Sequence, residues 1–215
     1  MKKPYLKYIG DKRIRDLLAR YDCPVPFHAV RTRLLGNIAT PRLDASPVQT
    51  IKDLWGGEFP PVDSMDDLNA LLQDLMSLWN TLARHQSRTR PFKLAKGGSG
   101  SNVGGIEQLC RIRTEEFEGF MEGLYGAADT IDLSEWAVER MDELGEINAM
   151  FHSALEISTR KPTVSATSDE LKETYKHLKT LERAMGKEIN MVIRACKKAR
   201  AQSMTWDDEP PPTYH

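Results

Sequence analysis

The sequence predicts an all-α protein: an orthogonal multi-helix bundle in two lobes, with a long C-terminal coiled-coil-like helix. Three observations predict it. Apolar residues recur at three- and four-residue steps in segment after segment. No run alternates apolar and polar residues for long enough to make a strand. Serine, proline and glycine fall where helices should start and stop.

The elements follow in order. Residues 11–21 place Ile14, Leu17, Leu18 and Tyr21 at helical spacing, and residues 26–36 do the same with Phe27, Val30, Leu34 and Leu35. Ser46-Pro47 is an N-cap followed by proline at the first helical position, where its missing N–H costs nothing. That helix carries Val48, Ile51, Leu54 and Trp55 and should stop at Gly56-Gly57, which tolerate a left-handed turn. Ser64, with Asp67 three residues on, opens a helix whose stripe runs through Leu68, Leu71, Leu72, Leu75, Leu78, Trp79 and Leu82. A further helix near 105–125 carries Ile106, Leu109, Ile112, Phe117, Phe120, Met121 and Leu124. Asp132 with Glu135 marks another start, running to about Ile157. Ser168 should cap the last helix, which runs to about residue 201. Its apolar positions, from Leu171 through Leu178, Met185 and Ile189 to Cys196, step close to a 3.5-residue repeat.

Residues 96–105 are rich in glycine and serine and read as a flexible linker that cannot sit inside a helix. The expected organisation is an N-terminal lobe over 1–95, the linker over 96–105, a C-terminal lobe over 106–204 and a disordered tail over 205–215.

With 40 % hydrophobic and 28 % charged residues, the 215-residue chain has a globular composition and can bury a core without staples. No segment approaches the roughly 20 apolar residues of a transmembrane helix, and Met1-Lys2-Lys3 has no apolar run behind it. Cys23, Cys110 and Cys196 are odd in number and form no CxxC pair. We therefore expect free thiols, a cytoplasmic location and no membrane partner.

The net charge of −1 conceals blocks of opposite sign. Residues 1–45, 83–113 and 158–200 each carry +6, whereas 46–82 carry −5 and 114–157 carry −11. On a helix turning roughly 100° per residue, Glu135, Glu139, Asp142, Glu143 and Glu146 share one side. In the last helix, Lys172, Lys176, Lys179, Arg183, Lys187, Arg194, Lys197 and Lys198 share the face opposite Leu178 and Met185. Three readings stay open: two solvated faces, acidic and basic faces that meet within the chain or across a dimer, or a basic face that tracks phosphates. The face lacks the interleaved aromatics of a single-strand binder.

The glycines of 97–105 fit neither GxGxxG nor a Walker loop, and no strand precedes them. The five histidines form no HExxH or Cys/His cluster, and Glu173 with His177 reads as a surface i,i+4 contact. No GxSxG or Cys/His pairing suggests a nucleophile, although Arg111 and Lys197 stand beside Cys110 and Cys196. No catalytic residue, cofactor or metal is expected. Pro211-Pro212-Thr213-Tyr214 fits the pattern that WW domains bind as a polyproline II segment, the alternative being an incidental tail.

One stretch resembles a known family. Arg33-Leu34-Leu35-Gly36-Asn37-Ile38 leads to the Ser46-Pro47 helix ending Leu54-Trp55-Gly56-Gly57. A leucine-rich helix ending Leu78-Trp79-Asn80 follows, and then Phe117-Glu118-Gly119-Phe120-Met121-Glu122-Gly123. Over residues 27–155 this is similar to the bacterial YecA/YgfB-like family, with Phe117 near where that family has tryptophan. The cysteine-rich zinc tail of some members is absent here. The resemblance implies an all-α fold and no established enzymatic activity. Gly119 and Gly123 should in any case let another helix approach closely.

The leading expectation is a non-enzymatic adaptor or regulator that binds a protein partner or forms a homo-oligomer. The alternatives are a nucleic-acid-associated protein using the basic face, and an enzyme with an unrecognised site between the lobes.

Overall fold

The structure, a computed structural model, describes residues 8–159 and 167–206. Among them are seven α-helices and no strand: α1 (Asp11–Arg20), α2 (Phe27–Ala39), α3 (Pro47–Asp53), α4 (Met65–Leu82), α5 (Val103–Tyr125), α6 (Glu135–Thr159) and α7 (Ser168–Trp206). A 3₁₀ turn over Ala83–Gln86 continues α4. The all-α fold is therefore as the periodicity predicts.

Local chemistry sets the helix ends. Ser46 Oγ accepts the Gln49 N–H, and Ser64 Oγ accepts the Asp67 N–H, so two otherwise orphaned donors are satisfied. Gly56 and Gly57 take φ of 83° and 105° after α3, a region that a side chain would strain. α7 starts from a capping box one residue earlier than expected: Thr167 Oγ1 accepts the Glu170 N–H while Glu170 Oε2 accepts the Thr167 N–H. It continues to Trp206, past the position where a tail was expected to begin.

α2 and α5 lie against each other at the centre, backbone to backbone. A Cβ on Gly119 would sit 2.6 Å from the Ala29 carbonyl oxygen, and one on Gly36 would sit 2.7 Å from the Leu124 nitrogen. A Cβ on Gly123 would sit 2.7 Å from the Arg33 carbonyl carbon. Only glycine permits this approach. Around the crossing, Val30, Leu34, Leu35 and Ile38 of α2 pack in one core with Ile106, Leu109, Phe120 and Leu124 of α5. Leu71, Leu75 and Leu78 of α4, Leu144 and Phe151 of α6, and Met185, Ile189 and Val192 of α7 complete it. Each such side chain contributes about 1.5–3 kcal/mol by leaving water.

Two expectations need correction. The division at 96–105 does not divide the core, because α2 and α5 come from opposite sides of it and form its centre. Nor are the glycines of that stretch excluded from helix. Gly104 and Gly105 lie in the first turn of α5, where Asn102 Oδ1 caps the Gly105 N–H at 2.8 Å.

Residues 92–98 run without regular structure, yet side chains from three helices bond several of their backbone groups. Asn190 of α7 bonds both polar groups of Phe92, and Arg31 of α2 donates to the Lys93 carbonyl. Glu116 and Arg113 of α5 bond the N–H and carbonyl of Ala95, and the Tyr175 hydroxyl donates to the Gly98 carbonyl. These bonds give the buried polar groups of Phe92 their partners and tie the segment down as a strap.

Candidate functional site

α7 uses its apolar seam on the protein's own core. Leu178, Met185, Ile189, Val192, Ile193 and Cys196 are all buried there. The seam that reads as half of a coiled coil is therefore already covered, and the surface left to α7 is its opposite, basic side. Of the eight cations expected on that side, Lys172, Lys176, Arg183, Lys187, Lys197 and Lys198 are exposed. Lys179 and Arg194 are half-buried, and Lys179 forms an ion pair with Glu182. Lys172 pairs with Asp169 at 2.9 Å. At about 1.5 Å rise per residue, the stripe from 172 to 198 extends about 40 Å.

α6 packs beside α7 with Ala137, Met141, Leu144, Ile147 and Phe151 inward. Its carboxylates Glu135, Glu139, Asp142, Glu143 and Glu146 stay exposed. The contact between these two helices reverses the pairing the charge blocks suggested. Arg140 of α6 reaches Glu188 of α7 at 3.5 Å and also bonds Glu143 at 2.7 Å. The acidic and basic faces thus point outward from one helix pair. Where α6 begins, Ser134 and the half-exposed Trp136 form a groove of 500 Å³ with Arg194, Lys198 and Gln202 of α7.

A buried ion cluster lies beneath α7, and it is absent from the expected site. Arg113 and Glu116 side chains are both 0 % exposed and bond each other; Arg113 also meets Glu182 of α7 at 2.6 Å. Burial pushes Glu116 up to about 6, against the pull of Arg113 and of the Ala95 N–H. Because Arg113 and Glu116 lie on an otherwise apolar face, periodicity alone hides them. The only signal was two charges at i,i+3 interrupting the α5 stripe.

The thiols are not activated. Burial pushes Cys110 up to about 11 and Cys196 up to about 12, which outweighs any basic neighbour. Cys23 is also raised by burial, and its Sγ donates to the Val25 and Leu54 carbonyls. Glu173 and His177 are both exposed on α7. Among the described residues no group of His, Cys, Asp or Glu could hold a metal ion, and no helix is long and apolar enough to cross a membrane. Pro211, Pro212 and Tyr214 lie outside the described residues. No family model, curated protein or solved structure matches the chain.

Proposed function

We propose that this is a non-enzymatic, cytoplasmic protein-binding protein, an adaptor or regulator, that docks its partner on the outward side of α6 and α7. The observation that carries this reading is the pair of charged faces left uncovered there, with the half-exposed Trp136 beside the basic one. The partner these faces fit presents an acidic helix to the basic stripe of α7. A second copy of the chain carries such a face on α6, so it is the first occupant to test. The resemblance of residues 27–155 to the YecA/YgfB-like family supports the same reading. Its two halves, around Gly36 and around Gly119 and Gly123, meet in the α2–α5 crossing.

Sedimentation of the full chain at low and high salt tests it. We expect a dimer at low salt that Lys176→Glu/Arg183→Glu dissociates and that Glu139→Lys/Glu143→Lys in the other copy restores. If the chain is monomeric, affinity capture from its host with nuclease present should still retain a protein lost in the Lys176→Glu/Arg183→Glu variant. A monomer that also captures nothing sensitive to these substitutions would sink the proposal.

A second reading, nucleic-acid association, rests on the length of the basic stripe. It requires affinity for duplex DNA or RNA that falls steeply with salt as counterions are released. Salt-insensitive binding, or capture unchanged by nuclease, counts against it.

A further inference from the structure

We propose that a second site, lined by the strap itself, binds a phosphoryl-bearing anion. The site is a cleft of 470 Å³ between α1, the start of α2 and residues 93–96. Its cations are Arg15, Arg31, Lys93 and Lys96, with His28 beside them. They come from the two basic blocks at 1–45 and 83–113, which the fold brings together. Asp11 is the one carboxylate of the lining, and it is engaged by the Tyr8 hydroxyl and by Arg15 at 3.9 Å. Glu115 is taken up by His28 Nε2 at 2.6 Å. Cations therefore remain in excess.

Both guanidinium groups are held in place before any ligand arrives. Arg15 lies 4.7 Å over the Phe27 ring, and Arg31 lies 4.9 Å over the Phe92 ring while donating to the Lys93 carbonyl at 3.1 Å. Stacked guanidinium groups keep N–H donors free at their edges, in the fork that matches a phosphate. Fixing them in advance removes part of the ordering cost of binding. Lys93 and Lys96 are exposed and make no ion pair with another described residue, so their charge is available to a ligand. The cleft exceeds what one phosphate fills, and Phe27, Leu94 and Ile112 supply an apolar wall for the rest of the molecule. The strap that carries Lys93 and Lys96 is anchored by Asn190, Glu116 and Arg113, so these lysines stand on a fixed backbone.

The test is calorimetric titration of the full chain with inorganic pyrophosphate and with ATP. We expect saturable binding that weakens at least tenfold in Lys93→Gln/Lys96→Gln, two exposed changes that leave the core alone, and further in Arg31→Gln. Arg88→Gln, an exposed cation outside the cleft, should bind as the parent does. Flotation with phosphatidic acid vesicles distinguishes the sources of the phosphoryl group. Capture on vesicles that the Lys93/Lys96 pair abolishes assigns a lipid headgroup; binding of pyrophosphate or ATP without flotation assigns a soluble ligand. Failure of all three probes to bind, or binding unchanged in Lys93→Gln/Lys96→Gln, overturns the proposal.

Discussion

Asn190 meets Phe92 as a second peptide group would. Its Oδ1 accepts the Phe92 N–H at 2.7 Å and its Nδ2 donates to the Phe92 carbonyl at 3.0 Å, across 98 residues of chain. Both residues are buried. Asn190→Ala leaves two backbone groups without partners in the interior. Each such loss costs roughly 1–3 kcal/mol, so the variant should be less stable by about 3 kcal/mol. Urea denaturation followed by circular dichroism measures this; a loss under about 1 kcal/mol would mean that Phe92 finds other partners.

Glycine at the α2–α5 crossing should reverse the usual effect of alanine. In an open helix interior, Gly→Ala stabilises by up to about 1 kcal/mol, and Gly145 of α6, with open space around it, should show that gain. At Gly123 the new Cβ would meet the backbone of Arg33, which cannot rotate away. We expect Gly123→Ala to destabilise by about 3 kcal/mol or more. Thermal melts of the two variants should move in opposite directions, and a shared direction would show that the helices do not touch through Gly123.

Glu116 should make stability fall as the solution becomes less acidic. Its folded-state value of about 6 lies above the ordinary 4.5, so between these values the folded protein holds the proton more tightly than the unfolded chain. The contribution is fully present below pH 4.5 and is lost as pH rises through 6. The whole step amounts to about 2 kcal/mol. Glu116→Gln removes this titration. Urea midpoints of parent and variant at several pH values should therefore show the parent losing ground to the variant across that window and no further above it. A gap that does not change with pH would contradict the assignment.

The cysteines should behave as core residues. Cys110 and Cys196 are 0 % exposed, and burial raises both thiols far above neutrality. A thiol-reactive chromophore at pH 8 should leave both unlabelled in the native protein and label all three cysteines in denaturant. Rapid native labelling of Cys110 or Cys196 would revive a thiol-based activity.

Several features are legible in the sequence because each depends on neighbours within one or two turns. The Ser46 and Ser64 caps, the stop at Gly56-Gly57 and the leucine stripe of α4 are of this kind. So is the sidedness of Lys172 to Lys198, since a helix puts residues at those spacings on one face. The glycine-rich stretch has the composition of a linker, whereas its start is tied by Tyr175 at Gly98 and its end is capped into α5 by Asn102. Thr167 and Ser168 are equally good caps by residue type, so only the Thr167–Glu170 geometry separates them.

The helices, their apolar faces and the blocks of charge follow from local periodicity and capping and are legible in the residue order. Which faces are covered follows from long-range packing alone. It buried the coiled-coil-like seam of α7, enclosed Arg113 with Glu116, and bound residues 92–98 to three helices. It also gathered Arg15, Arg31, Lys93 and Lys96 around one cleft. The reason is physical: a helix's own hydrogen bonds are local, but burial and charge pairing are settled between segments distant in the chain. Such pairings leave no periodic mark in the sequence.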